Sequence, residues 1–180
     1  MPQFKIEQIA LYPVDTVAAR NLLSDLGLSA WVYDTVTAEG EVFEEGGHVN
    51  TAELAFNYQA GNGEFVKQED SLETAPSGYK PLELEILQYT NGANWMEARA
   101  PHLDPTVSHL GMHVTEEQLQ EFDLVMQKHD IQIAQRVNTK MHTNPAIKDS
   151  RRYKYVIYDT HPILGVDLKF IVRLPYSPTA

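Results

Sequence analysis

Cysteine is absent from the 180 residues. That excludes a disulfide framework, a thiolate metal site and a thiol nucleophile. Basic residues are scarce: 14 Lys and Arg stand against 25 Asp and Glu, for a formal net charge of −11. So acidic a chain lacks the basic stripe that phosphate binding needs. It therefore argues against nucleic acid or an anionic membrane as partner. No apolar run approaches the length of a membrane span. The opening stretch, MPQFKIEQIALYPVD, has no basic region leading into a long apolar one. A cytoplasmic protein without a signal peptide is the expectation.

What is present is ordinary for a globular chain. Hydrophobic residues make up 43% and charged residues 22%. A chain of this length can bury a real core without covalent staples. It suits one domain or two small fused modules.

Along the chain, FKIEQIALYP reads as a strand and VDTVAARNLLSDLGL as a helix. Asp15 is the expected N-cap, Gly27 the stop, and Ala18, Leu22, Leu23 and Leu26 the apolar stripe. SAWVYDTVT, NTAELAFNYQ and PLELEILQYT follow as strands, separated by the loops EGEVFEEGGH and GNGEF. GNGEF is a turn and not a phosphate loop, because no Lys-Ser/Thr follows it. NGANWMEARAPHLDPT, with Pro101 and Pro105, is a connector.

The order then begins again. VSHLGMHV is a strand and TEEQLQEFDLVMQKHD a helix, with Thr115 and Gln118 as a capping box. Its stripe is Leu119, Phe122, Val125 and Met126. IQIAQRVNTKMH, RRYKYVIYDT and GVDLKFIVRL complete it as strands. Strand, helix and three strands thus occur twice, as a repeat of pattern and not of residues. The pattern predicts an α+β domain of about eight strands with both helices on one sheet face.

The strands carry two unlike faces. Val166, Leu168, Phe170 and Val172 alternate with Asp167, Lys169, Ile171 and Arg173. Leu110, Met112 and Val114 oppose His109, Gly111 and His113; Leu82, Leu84 and Ile86 oppose Glu83, Glu85 and Leu87. Gln8 shares a face with Ile6 and Ala10. If the apolar faces take the helices, the other faces converge and carry Gln8, Glu85, His109 and Lys169. By pattern alone, a solvated sheet face is the preferred account of this alternation. His109 and His113 are suited to a transition metal, but two imidazoles alone specify little.

Other residues carry a functional and a plain reading. Tyr153 and Tyr155 share a face and can line a pocket, though packing is the commoner role. Arg151 and Arg152 can recognise a carboxylate; exposed loop charges are the simpler account. His142 reads as a turn histidine, and His48, His102, His129 and His161 as loop residues. Trp31 and Trp95 read as core or interface anchors.

Four stretches in order give the chain a resemblance. IALYPVDTVAARNLLSDLGL, LELEILQY, SHLGMHV and YDTHPILGVDLKFI together resemble the vicinal oxygen chelate superfamily, the glyoxalase/bleomycin-resistance/dioxygenase fold. The resemblance implies two tandem βαβββ modules, at 1–90 and 107–180 with a linker at 91–106. They form a cupped eight-stranded mixed sheet with helices on its outer face. It implies one metal ligand on the first and last strand of each module, which here means Gln8, Glu85, His109 and Lys169. Glu83 is the runner-up to Glu85, two residues away on the same face. A divalent Zn, Fe, Mn or Ni is the implied cofactor, and a homodimer the implied assembly.

Lys169 departs from that pattern. The resemblance puts a glutamate there, and a protonated lysine has donors only. Three readings are open. Lys169 pairs with Glu85 and replaces the metal, since a buried carboxylate needs a partner. Alternatively Gln8, Glu85 and His109 hold a metal while Lys169 meets an anionic ligand; or Lys169 lies on the surface. The first is preferred. It predicts a metal-free cup binding a small molecule through Lys169, His113, Tyr155 and Arg152. The second predicts a metal-dependent lyase, isomerase or dioxygenase in which Glu85 moves a proton.

Overall fold

The computed structural model describes residues 3–60, 82–99 and 106–176. The GNGEF turn, His102, Pro101 and Pro105 lie outside the described residues. The first module runs β1 (Gln8–Tyr12), α1 (Thr16–Asp25), β2 (Trp31–Val42), β3 (Glu45–Asn57) and β4 (Glu83–Asn91). A short helix, α2 (Trp95–Arg99), stands between the modules. The second runs β5 (Thr106–Val114), α3 (Glu116–Lys128), β6 (Ile133–His142), β7 (Arg152–Tyr158), α4 (His161–Leu164) and β8 (Asp167–Leu174).

The expected α+β architecture of tandem βαβββ modules is present, and the cup closes. The strand order is β1-β4-β3-β2-β6-β7-β8-β5, joined into a barrel because β1 pairs parallel with β4 and antiparallel with β5. Among the described strands, closure leaves no unpaired sheet edge. An eight-stranded barrel has a narrow interior, filled by side chains or holding one small ligand.

Local chemistry starts the helices where the sequence signals them. Asp15 accepts the amides of Val17 and Ala18, each at 2.9 Å. Thr115 and Gln118 form the reciprocal capping box at the start of α3. Leu119, Phe122 and Met126 of α3 then bury against the outer face of the second module. Phe122 stacks on Phe170 with ring centroids 4.6 Å apart.

Three expectations change. First, α1 has no buried residue; Leu22 and Leu26 are exposed, at 62% and 71%. The helix instead turns Thr16, Ala19, Arg20, Leu23 and Ser24 partly toward the sheet. Second, EGEVFEEGGH is mostly strand. β2 and β3 pair up to Val42–Glu45, so only Phe43 and Glu44 form the turn, both with positive φ (44° and 68°). Those are the dihedrals of a two-residue hairpin turn, normally signalled by Asn-Gly, whereas Phe-Glu stands at this turn. Third, the connector contains α2, whose Trp95 and Met96 are buried in the barrel.

Candidate functional site

Alternation sends one face of every strand into the barrel. Gln8, Glu83, Glu85, His109, Asp167 and Lys169 are all buried there. Their register relates the two modules. In the β1/β4 pair Gln8 meets Glu83 and Ala10 meets Glu85. In the β5/β8 pair His109 meets Asp167 and Gly111 meets Lys169. Gln8 and His109 thus hold equivalent places, and so do Glu85 and Lys169.

The four side chains meet. Gln8 donates its amide N–H to Glu83 Oε1 and presents Oε1 to His109 Nε2 at 2.8 Å. Because Gln8 Oε1 is the acceptor, His109 Nε2 carries the hydrogen, an assignment made from the hydrogen-bond network. His109 Nε2 also lies 3.3 Å from Glu85 Oε2. Lys169 Nζ lies 3.5 Å from the same oxygen and 4.6 Å from the centroid of Tyr155, a cation–π contact. Gly111 makes room for this: a Cβ there would sit 2.8 Å from Gln8 Oε1.

Electrostatics separates the two glutamates. Burial by itself raises the Glu85 pKa, but the Lys169 charge and the contacts from His109 overcome it and hold Glu85 at about 2. Glu83 is raised, first by burial and then by the Glu85 charge, while His113, Gln8 and Tyr58 pull the other way. Burial and the Lys169 charge lower His109 to about 4, so its imidazole is neutral near pH 7.

The Glu85–Lys169–Tyr155 layer separates two adjoining cavities, each enclosing a void of about 30 Å³; with the open solvent at their mouths the free space is about 480 and 390 Å³. The smaller is closed by α2. There Trp95 donates Nε1–H to Asp167 (3.0 Å), Arg99 binds Asp167 (2.5 Å) and Asp159 (2.6 Å), and Gln135 links Asn50, Trp95 and Tyr89. The larger is lined by Glu83, Glu85, Lys169, His113 and an apolar wall that includes Leu54, Phe56 and Ile171.

Other expectations sort as follows. Tyr153 and Tyr155 line the larger cavity as a stacked pair, 6.0 Å apart with planes at 10°. His113 lines it too, with Nδ1 3.1 Å from Glu7. Arg152 does not. The alternation that turns Tyr153 and Tyr155 inward turns Arg152 out. It donates to the carbonyls of Lys148 and Arg151 and lies 5.0 Å from the Tyr176 ring. Arg151 is the buried one of that pair, with Nη1 lacking a partner.

The sequence reads His142 as a turn histidine. It is no turn residue but closes β6 inside the barrel, its Nδ1 2.6 Å from Asp34 and its Nε2 3.1 Å from Thr139. A bulge explains this. Thr37 pairs with Met141 but Ala38 with Thr139, so Lys140 is the extra residue. The parity flips, leaving Met141 exposed and His142 buried.

The implied divalent metal does not fit this donor set. Lys169 brings an ammonium to Glu85 at the place equivalent to Glu85 itself, and His109 commits its Nε2–H to Gln8. Among the described residues no group of three or more His, Asp or Glu is arranged to hold a metal ion.

No family model matches the sequence, and no curated protein matches it. A crystal structure of a methylmalonyl-CoA epimerase is similar over 93% of each chain, at 11% identity and a TM-score of 0.41. A likeness that distant carries no argument about chemistry.

Proposed function

We propose that this is a metal-free member of the vicinal oxygen chelate superfamily that binds a small organic molecule in the larger barrel cavity. The observation that carries the reading is the contact of Lys169 with Glu85, 3.5 Å apart inside the barrel and at equivalent places in the two modules. An ammonium there supplies the positive charge that a buried carboxylate needs, which is the service a divalent cation would otherwise perform. Lining by stacked tyrosines and apolar side chains, with a few convergent polar groups, is the general character of a ligand pocket. The homodimer belongs to the same proposal, and sedimentation tests it.

Elemental analysis of protein purified without tag or chelator tests the reading. The expected result is no stoichiometric metal in the wild type, and tight divalent binding gained by Lys169→Glu. Stoichiometric zinc, iron, manganese or nickel that disappears in Glu85→Ala would overturn it.

A further inference from the structure

The barrel already shows which chemistry its interior accepts. Lys169 is a cation held between a carboxylate, Glu85, and the face of an aromatic ring, Tyr155. One step along the same strands the parts recur without the cation. Glu83 lies two residues before Glu85 on the inward face of β4, and Tyr153 lies two before Tyr155 on β7. Tyr153 stacks on Tyr155, and both rings line the larger cavity with Glu83.

Here the carboxylate is incompletely satisfied. Glu83 Oε1 takes the Gln8 amide and the Tyr58 hydroxyl also acts on this carboxylate, whereas Glu83 Oε2 is buried with no partner at hydrogen-bond distance. Glu85 Oε1 is in the same condition. Both residues are more than nine-tenths buried and both line the cavity. Unsatisfied buried carboxylate oxygens are costly, and natural structures keep few of them. Arg151 reaches toward Tyr153 but does not line the cavity. The cavity's charged lining is Asp34, Glu83, Glu85 and Lys169, with His113 and His142 beside them. Asp34 is engaged by His142 and by the Thr143 and Asn144 amides. Counted formally among the described residues, carboxylates exceed ammonium groups.

We propose that the larger cavity binds an organic ammonium, a primary amine on an aromatic or aliphatic body. Its N–H groups donate to Glu83 Oε2 and Glu85 Oε1, and its charge rests against the Tyr153 face. The ligand's cation repeats at Glu83 what Lys169 does at Glu85. This class rests on the metal-free reading above, because a metal on these carboxylates would take the oxygens that the ammonium needs. Three donors and a π-bound charge are the natural complement of this wall.

The test compares benzylamine, benzyl alcohol and benzoate by calorimetry near neutral pH, where the first is a cation and the last an anion. The wild type is expected to bind benzylamine best, by roughly tenfold or more over the isosteric alcohol, as befits a charge-assisted hydrogen bond. Glu83→Gln should remove most of that preference, and Tyr153→Phe should keep it because the ring remains. Equal or tighter binding of benzoate or the alcohol, or no binding of any of the three, overturns the proposal. So does a folded Glu83→Gln protein that keeps the full preference. The comparison on the wild type stands even if a variant fails to fold. Elemental analysis of the same sample separates the outcomes. Bound metal refutes the metal-free reading, whereas a wrong ligand order in metal-free protein refutes only the ammonium assignment.

Discussion

Lys169 is held twice, by the Glu85 carboxylate and by the Tyr155 ring. Removing one partner is therefore worse than removing both. Glu85→Ala strands a buried ammonium and is expected to cost about 3–5 kcal/mol, while Glu85→Leu with Lys169→Met should recover most of it. Urea denaturation of the four proteins in the cycle measures this; a double variant as unstable as Glu85→Ala would reject the pairing. The pH dependence has a defined sign. The folded Glu85 pKa, about 2, lies below its ordinary 4.5, so the unfolded chain binds more protons between them. The stability that Glu85 contributes is present above 4.5 and lost as pH falls toward 2. The gap between wild type and Glu85→Gln should close over that window.

At the scale of elements, the two long helices are unequal. α3 drives Leu119, Phe122 and Met126 into a core that includes Phe170 and Val172. α1 buries none of its residues. Phe122→Ala should cost about 3–5 kcal/mol, whereas Leu22→Ser, on an exposed position, should change stability by less than about 0.5 kcal/mol. Thermal and chemical melts of the two variants check this, and similar costs would mean that α1 packs as α3 does. Both helices look alike in sequence, with apolar stripes and cap signals. Periodicity says which residues share a face, not how much of that face a neighbour covers.

At the scale of the molecule, α2 seals one end of the barrel. Arg99 bridges Asp159 and Asp167, and Asp167 is fully buried. Arg99→Ala leaves that carboxylate without its counter-charge and should cost about 3–5 kcal/mol. Trp95, also tied to Asp167, should then show red-shifted fluorescence as water enters. An unchanged emission spectrum and melt would show that the seal does not depend on the ion pair.

The strand faces were legible from the sequence because alternation is dictated by the pleat. It brought Gln8, Glu85, His109 and Lys169 to one side, and the barrel places them in contact. The caps at Asp15 and Thr115 were legible because capping is a local bond. What the sequence alone left open needed contacts between distant residues. Whether Lys169 met water or Glu85 depended on ring closure through β1 and β5. His142 turned inward because of a bulge against β2, and Arg152 turned outward with the pleat of β7. The connector became a plug because Trp95 and Arg99 find Asp167 across 72 and 68 residues. Composition and local order determined the strands, the caps and the acidic surface. Only tertiary structure set which buried charges face each other, because a charge's partner is chosen in space and not along the chain.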